Sequence, residues 1–144
     1  MTARAAAPNR YRAAVIGCGA IGSSIEDDIG TATYRMGLPY GHAPVYATLP
    51  RTELVAGADN DAGRRAAFAA RWGLDAGKVY ADYREMLAAE RIDIVSIATP
   101  TPLHARMTHD AIEAGVRAIF LEKPLASSVA DAARLIAACK EAGI

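Results

Sequence analysis

Apolar residues follow two rhythms along this chain, and the rhythms alternate. Short runs dense in Val, Ile, Leu and Ala stand at "YRAAVIG" (11–17), "TELVAGAD" (52–59), "IDIVSIA" (92–98) and "VRAIFLE" (116–122). Each run predicts a strand; the first reads as short and buried, and "IDIVSIA", rich in Ile and Val, as one covered on both faces. Between them the apolar spacing lengthens to three and four. Residues 61–73 predict a helix with Ala62, Ala66, Ala69 and Ala70 on one face, Asp61 as N-cap and Gly73 as the residue that ends it. "VYADYREMLAAE" (79–90) predicts a brief strand and then a helix capped by Asp82. Residues 102–115 predict a helix with Leu103, Met107, Ala111 and Ala114 near one face. Residues 127–143 predict a closing helix, capped by Ser127 or Ser128, with Val129, Ala132, Ala133 and Ile136 inward. Strands alternating with helices in this way build a parallel sheet with helices on both faces, an α/β doubly wound domain of the Rossmann type.

The first of these strands runs into "GCGAIG" (17–22), a G-x-G-x-x-G pattern. Behind a strand and ahead of a helix, each glycine has a task. Gly17 permits the tight turn, Gly19 lets backbone approach a pyrophosphate, and Gly22 lets helix and strand pack closely. Backbone N–H groups at the helix start then meet the negative charge. An acid about 20 residues further on completes the simplest form of this pattern by bonding a ribose. Here Asp59, at the end of the second strand, follows Gly22 by 37 residues. The excess sits at residues 23–41, which reads as an insertion in or after the first helix, with "HAPVYATLP" (42–50) resuming the crossover. A carboxylate at position 59 accepts bonds from a ribose 2′-hydroxyl and repels a 2′-phosphate, which favours NAD, with NADP as the alternative because Arg64 and Arg65 lie close behind. Glu26, Asp27 and Asp28 read as a solvated acidic face rather than a metal cluster.

Composition narrows the picture further. The 144 residues suit one domain, taken as residues 11–144 after a loose tail at 1–10. Hydrophobic residues make up 52%, enough for a buried core. The 16 basic and 16 acidic residues cancel, which leaves no basic footprint for nucleic acid and no acidic tail. Cys18 and Cys139 form neither a disulfide framework nor a metal spacing and read as free thiols of a cytoplasmic protein. "MTARAAAPNR" lacks the apolar stretch of a secretory signal, and no run is long enough to span a membrane.

Two more motifs follow strand ends: "ATPTPLHA" (98–105) and "FLEKPLA" (120–126). With "GCGAIG", "HAPVY" and "ELVAGADND", they resemble the N-terminal half of the glucose-fructose oxidoreductase, inositol dehydrogenase and rhizopine-catabolism (Gfo/Idh/MocA) family over residues 11 to 144. The glycine motif alone also fits other dehydrogenases or methyltransferases; the Glu-Lys-Pro triplet and Asp59 speak against the last. The resemblance implies a dinucleotide loop of Gly17, Gly19 and Gly22, with Ala20 and Ile21 offering backbone N–H groups, and Asp59 on the adenine ribose. It implies Thr99, Pro100 and Thr101 along the cofactor cleft. Glu122, Lys123 and Pro124 are placed beside the nicotinamide ribose, with Lys123 reaching a sugar or polyol substrate. There an ammonium stabilises the alkoxide that develops as hydride leaves for the nicotinamide. His104 matches the family histidine and either touches ligand or bonds local backbone; His42 and His109 read as structural or exposed. Family members continue into a sheet-rich domain that carries the catalytic histidine and most of the substrate pocket, and through which they associate. This chain stops before it, as a fragment, an isolated cofactor domain or a natural truncation. A nucleotide-binding or redox-sensing module without chemistry of its own is the alternative function.

Overall fold

The computed structural model describes residues 10–29 and 39–144. The expected tail at 1–10, apart from Arg10, and the centre of the 23–41 insertion lie outside the described residues. Five parallel strands form one sheet: β1 (Tyr11–Ile16), β2 (Thr52–Ala58), β3 (Val79–Tyr80), β4 (Ile94–Ile97) and β5 (Ala118–Leu121), in the order β3-β2-β1-β4-β5. The helices are α1 (Ile25–Ile29), α2 (His42–Thr48), α3 (Ala62–Trp72), α4 (Tyr83–Ala89), α5 (His104–Glu113) and α6 (Val129–Ala142). A π-helical turn, Ala20–Ser24, leads into α1.

Strand β1 is central, and its alternation divides the core. Ala13 and Val15 face a cluster with Ala43 and Tyr46 of α2 and Phe68 of α3. Ala14 and Ile16 face a cluster with Tyr83 and Met86 of α4 and Met107 and Ala111 of α5. Successive side chains of a strand point to opposite faces, so an unbroken apolar run marks a strand covered twice. The chain leaves β2 toward one edge and β4 toward the other, and this reversal opens a crevice beyond the strand ends at β1 and β4.

Three inward faces differ from the expectation. In α3, Ala62, Ala66 and Ala70 are exposed, while Phe68 is buried with Ala69 and Trp72 packed beside it. A large aromatic side chain buries far more apolar area than a row of methyls, so it decides which face turns inward. In α6, Val129 (88% exposed), Ala133 and Ile136 face outward, and Leu135 is the buried residue. That helix lies against α5 at the sheet edge, so it buries one narrow stripe rather than a broad face. At the end of α5, Ala114 is exposed as the C-cap, and His104 and Thr108 share the buried side with Met107 and Ala111.

The expected caps form. Asp61 accepts the Arg64 N–H at 2.7 Å, Asp82 accepts the Arg84 N–H at 2.9 Å, and Ser128 Oγ accepts the Asp131 N–H at 3.0 Å. Gly73 closes α3 with φ +64°. Because α6 has little buried area to hold it, the Ser128 cap carries much of its start. Ser128→Ala is expected to cost about 1 kcal/mol, read as a lower denaturant midpoint with unchanged slope.

The three carboxylates at 26–28 do not form one solvated face. Glu26 is half-buried, and its Oε1 accepts the backbone N–H groups of Tyr40 (2.9 Å) and Gly41 (2.7 Å), which pins the start of α2. Asp27 forms a two-point pair with Arg71 of α3 at 2.6 and 2.7 Å, and Ser23 accepts the Trp72 indole N–H at 3.0 Å. Asp28 is exposed. The described part of the insertion is thus fastened to α2 at one side and to α3 at the other. Among the described residues no group of three or more potential metal-ligating side chains stands close enough to hold an ion. No described helix is long and apolar enough to cross a membrane.

Candidate functional site

The crevice lies where the strand order reverses, at the C-terminal ends of β1, β2 and β4. It is a cleft of about 590 Å³. Gly17 and Gly19 form its floor, Asp59, Asn60 and Arg64 one wall, and Thr99, Pro100 and Leu103 the other. The turn that makes this floor needs its glycines. Gly17 has φ +96°, which side-chain-bearing residues rarely adopt, and a Cβ there would strike the Ala98 carbonyl. A Cβ on Gly22 would land on the Gly17 carbonyl oxygen, so the helix start can rest on the turn only as glycine. Gly19 is different: a Cβ there meets nothing within 4 Å. The backbone at Gly19 faces open cleft, which is the room a pyrophosphate needs.

Asp59 locks this floor to the second strand. Its Oδ2 accepts the Cys18 N–H at 2.9 Å and its Oδ1 accepts the Asp61 N–H at 2.9 Å. Each carboxylate oxygen retains a lone pair for a hydroxyl donor. Arg64 Nη1 stands 3.9 Å away on an exposed side chain, while Arg65 turns back to donate to the Asp59 carbonyl at 2.9 Å. Cys18 has its side chain in the core beside Phe68 and not in the cleft. Burial, and next the Asp59 charge, push its thiol up to about 12, so it is no thiolate nucleophile at neutral pH.

The third strand-end motif divides. Thr99 and Pro100 line the cleft, and Thr99 Oγ1 donates to Met107 Sδ at 3.3 Å. Thr101 begins the short turn that enters α5 and is not part of the lining. His104 is fully buried, with Nε2 2.7 Å from the Thr99 carbonyl and Nδ1 2.9 Å from the Pro124 carbonyl. Both ring nitrogens face backbone, so of the two readings of His104 the geometry supports the one bonding local backbone. It ties the loop after β4 to the loop after β5, as a brace beneath the site rather than a ligand in it.

Glu122, Lys123 and Pro124 follow β5, one strand beyond β4, and do not line the same cleft. The Glu122 N–H continues the ladder to Ile97 O at 3.0 Å. Its carboxylate does not pair with the Lys123 ammonium. Oε1 faces His42 Nε2 at 3.2 Å and Oε2 accepts the Lys123 backbone N–H at 3.1 Å. Lys123 is exposed, and its ammonium forms no ion pair among the described residues. His42 is 7% exposed, with its ring edge-on to Phe120 at 4.9 Å between centroids. Burial lowers the imidazole's tendency to hold a proton, and the Glu122 carboxylate offsets this in part. Ala20 and Ile21 open the π-helical turn beside the glycine floor, with Ile21 39% exposed.

Several lining residues carry no local signal. Tyr83 and Arg84 come from the start of α4, and Arg106 and Met107 from the first turn of α5. Their place in the cleft depends on how two helices cross the sheet. Asp82, also in the lining, was visible only as a cap.

Comparison with known proteins agrees with this geometry. D-apiose dehydrogenase of Paraburkholderia graminis is 33% identical over 135 residues, covering 94% of this chain and 31% of that protein. A crystal structure of an oxidoreductase from Agrobacterium radiobacter, solved with NAD+, L-tartaric acid and magnesium, superposes with a TM-score of 0.72 at 27% identity, over 94% of this chain and 34% of that one. KijD10, a 3-ketoreductase from Actinomadura kijaniata solved with TDP-benzene and NADP, gives a TM-score of 0.69 at 28% identity, over 94% and 37%. The chain therefore spans about a third of the length of these relatives. Residues 11–144 match the Gfo/Idh/MocA profile, described as an oxidoreductase family with an NAD-binding Rossmann fold. With the glycine floor and the acid of the second strand in one crevice, and the Glu-Lys-Pro triplet at the end of β5, the chain belongs to the Gfo/Idh/MocA oxidoreductase family.

Proposed function

We propose that this chain is the dinucleotide-binding part of an oxidoreductase that moves hydride between a sugar or polyol hydroxyl carbon and a nicotinamide cofactor. One observation supports the reading: the Asp59 carboxylate is bonded to the Cys18 N–H, so the acid at the end of β2 and the glycine turn share a single cleft. The residues present fit a dinucleotide, since Gly19 leaves open space where a side chain would otherwise fill the cradle. When bound, the nicotinamide supplies the carbon that accepts hydride.

The chain's own residues hold the cofactor and present one cation. Gly17, Gly19 and the N–H groups of Ala20 and Ile21 receive the pyrophosphate. Asp59 receives the adenine ribose, and Thr99 and Pro100 border the opposite side, with Thr101 behind them at the start of the turn into α5. Glu122 and Pro124 shape the loop after β5 that carries Lys123. The Lys123 ammonium meets the substrate hydroxyl and stabilises its oxygen as negative charge develops there. Edge strand β5, with Phe120 58% exposed, supports a further substrate domain on this side, in keeping with relatives three times as long. The isolated 144 residues are then expected to bind cofactor and turn over little.

Calorimetric titration of the chain with NAD and then NADP tests the first part. Saturable NAD binding, tighter than NADP, is the expected result; a folded chain that binds neither would sink the reading. In a full-length form, Lys123→Ala is expected to lower kcat on the order of 100-fold while NAD affinity stays within about threefold. An unchanged kcat would remove Lys123 from the chemistry.

A further inference from the structure

The contact between His42 and Glu122 joins two parts of the molecule that are far apart in sequence and in the sheet. Helix α2 packs on β1 and β2, and β5 lies beyond β4 at the other edge. His42 and Tyr46, one helical turn apart, are the residues of α2 that reach across. Tyr46 Oη bonds Ser96 Oγ of β4 at 2.7 Å, and His42 bonds Glu122 at 3.2 Å. The start of α2 is itself fixed, because Glu26 accepts the Gly41 N–H immediately before His42. The far oxygen of Glu122 accepts the Lys123 N–H. A continuous set of contacts thus runs from the insertion, through Glu26, α2, His42 and Glu122, to the backbone of Lys123.

We propose that His42 is a positioning residue for Lys123: by holding one oxygen of Glu122 it keeps the other on the Lys123 N–H, and so sets where the loop after β5 presents its ammonium. Among the described residues the Glu122 side chain has two hydrogen-bonding anchors, His42 and the Lys123 amide. Without the imidazole donor its carboxylate swings toward water, because a carboxylate already 23% exposed gains hydration once its buried partner is gone. The Lys123 N–H then loses its acceptor. The ring contact with Phe120 is a second role of His42, and it must be separated from the first. The placement rests on the reading of Lys123 as the substrate-facing cation, but the positioning itself does not.

Two replacements separate donor from ring. His42→Gln keeps a donor at similar reach and loses the ring; His42→Phe keeps the ring and loses the donor. Amide hydrogen exchange of Lys123 is read by NMR in each, beside titrations with NADH and with ADP-ribose. The expected result is Lys123 exchange several-fold faster in His42→Phe and close to wild type in His42→Gln. NADH affinity should follow the same order, and ADP-ribose, which lacks the nicotinamide, should bind all three chains alike. Wild-type exchange in His42→Phe, or fast exchange in His42→Gln, overturns the proposal and leaves His42 a packing residue. If one variant fails to fold, the other decides by the same criterion. A wild-type chain that binds neither NADH nor ADP-ribose ends the cofactor reading, while the exchange rates still judge His42.

Discussion

Gly22→Ala is expected to cost about 2–4 kcal/mol of stability and to weaken NAD binding by at least about tenfold, whereas Gly19→Ala leaves stability within about 0.5 kcal/mol and still weakens NAD. The two glycines are three residues apart in one motif and do different things. A methyl on Gly22 would land on the Gly17 carbonyl oxygen and within 3.3 Å of a Val15 methyl, so either the turn or the strand must move. Both obstacles are backbone or packed core, neither of which yields cheaply. At Gly19 the backbone is extended, with φ −75°, a conformation alanine adopts freely, and a methyl there meets no protein atom within 4 Å. On the proposed function it would instead occupy the space taken by the pyrophosphate. Denaturant titration and NAD calorimetry on the two variants separate the folding role from the binding role. Equal NAD affinity for wild type and Gly19→Ala would remove the pyrophosphate from that spot.

The second large effect is at Asp59. Asp59→Ala takes the acceptor from the Cys18 N–H, which is buried, and from the Asp61 N–H. Leaving a buried donor unpaired costs about 1–3 kcal/mol, so the variant should fold with a lower midpoint. Its binding change has a direction as well as a size. NAD loses an acceptor for its ribose hydroxyls and should weaken on the order of tenfold to 100-fold. NADP loses a repulsive carboxylate while Arg64, now 3.9 Å from that group, stays in place to meet the 2′-phosphate. The ratio of NADP to NAD affinity should therefore rise. Asp59→Asn, which keeps one acceptor oxygen, should recover part of the stability without recovering NAD preference. If both cofactors weaken equally in Asp59→Ala, the residue only supports the turn and another group reads the ribose.

How far the site could be read in advance differs from residue to residue. Gly17, Gly22 and Asp59 were legible because each answers a local backbone demand: a positive φ, a close approach, a strand-end acceptor. Thr99 and Pro100 were legible as a strand-end motif. His104 was half legible; its motif pointed to the site, but one of the two carbonyls that take up its ring, that of Pro124, comes from a loop 20 residues further on. His42 gave no local sign of its partner. The Glu122 contact spans 80 residues and requires the whole order of the sheet. Arg84 and Arg106 were equally silent, since a helix spacing says which face is buried and not which strand end it overhangs.

The strand-and-helix alternation, the parallel doubly wound class, the helix caps at Asp61 and Asp82, a cap at Ser127 or Ser128 and the glycine turn could all be read along the chain. All of these are settled by interactions within a few residues, or by a period of two or about four. Only the packing of distant elements shows that Phe68 and Leu135 displace the alanine and valine stripes, that half-buried Glu26 and exposed Asp27 fasten the insertion, that His104 braces two loops, and that His42 reaches Glu122. The physical reason is common to these cases. Which apolar residue wins the core, and which polar group finds a partner, depends on area and acceptors that only neighbouring elements supply.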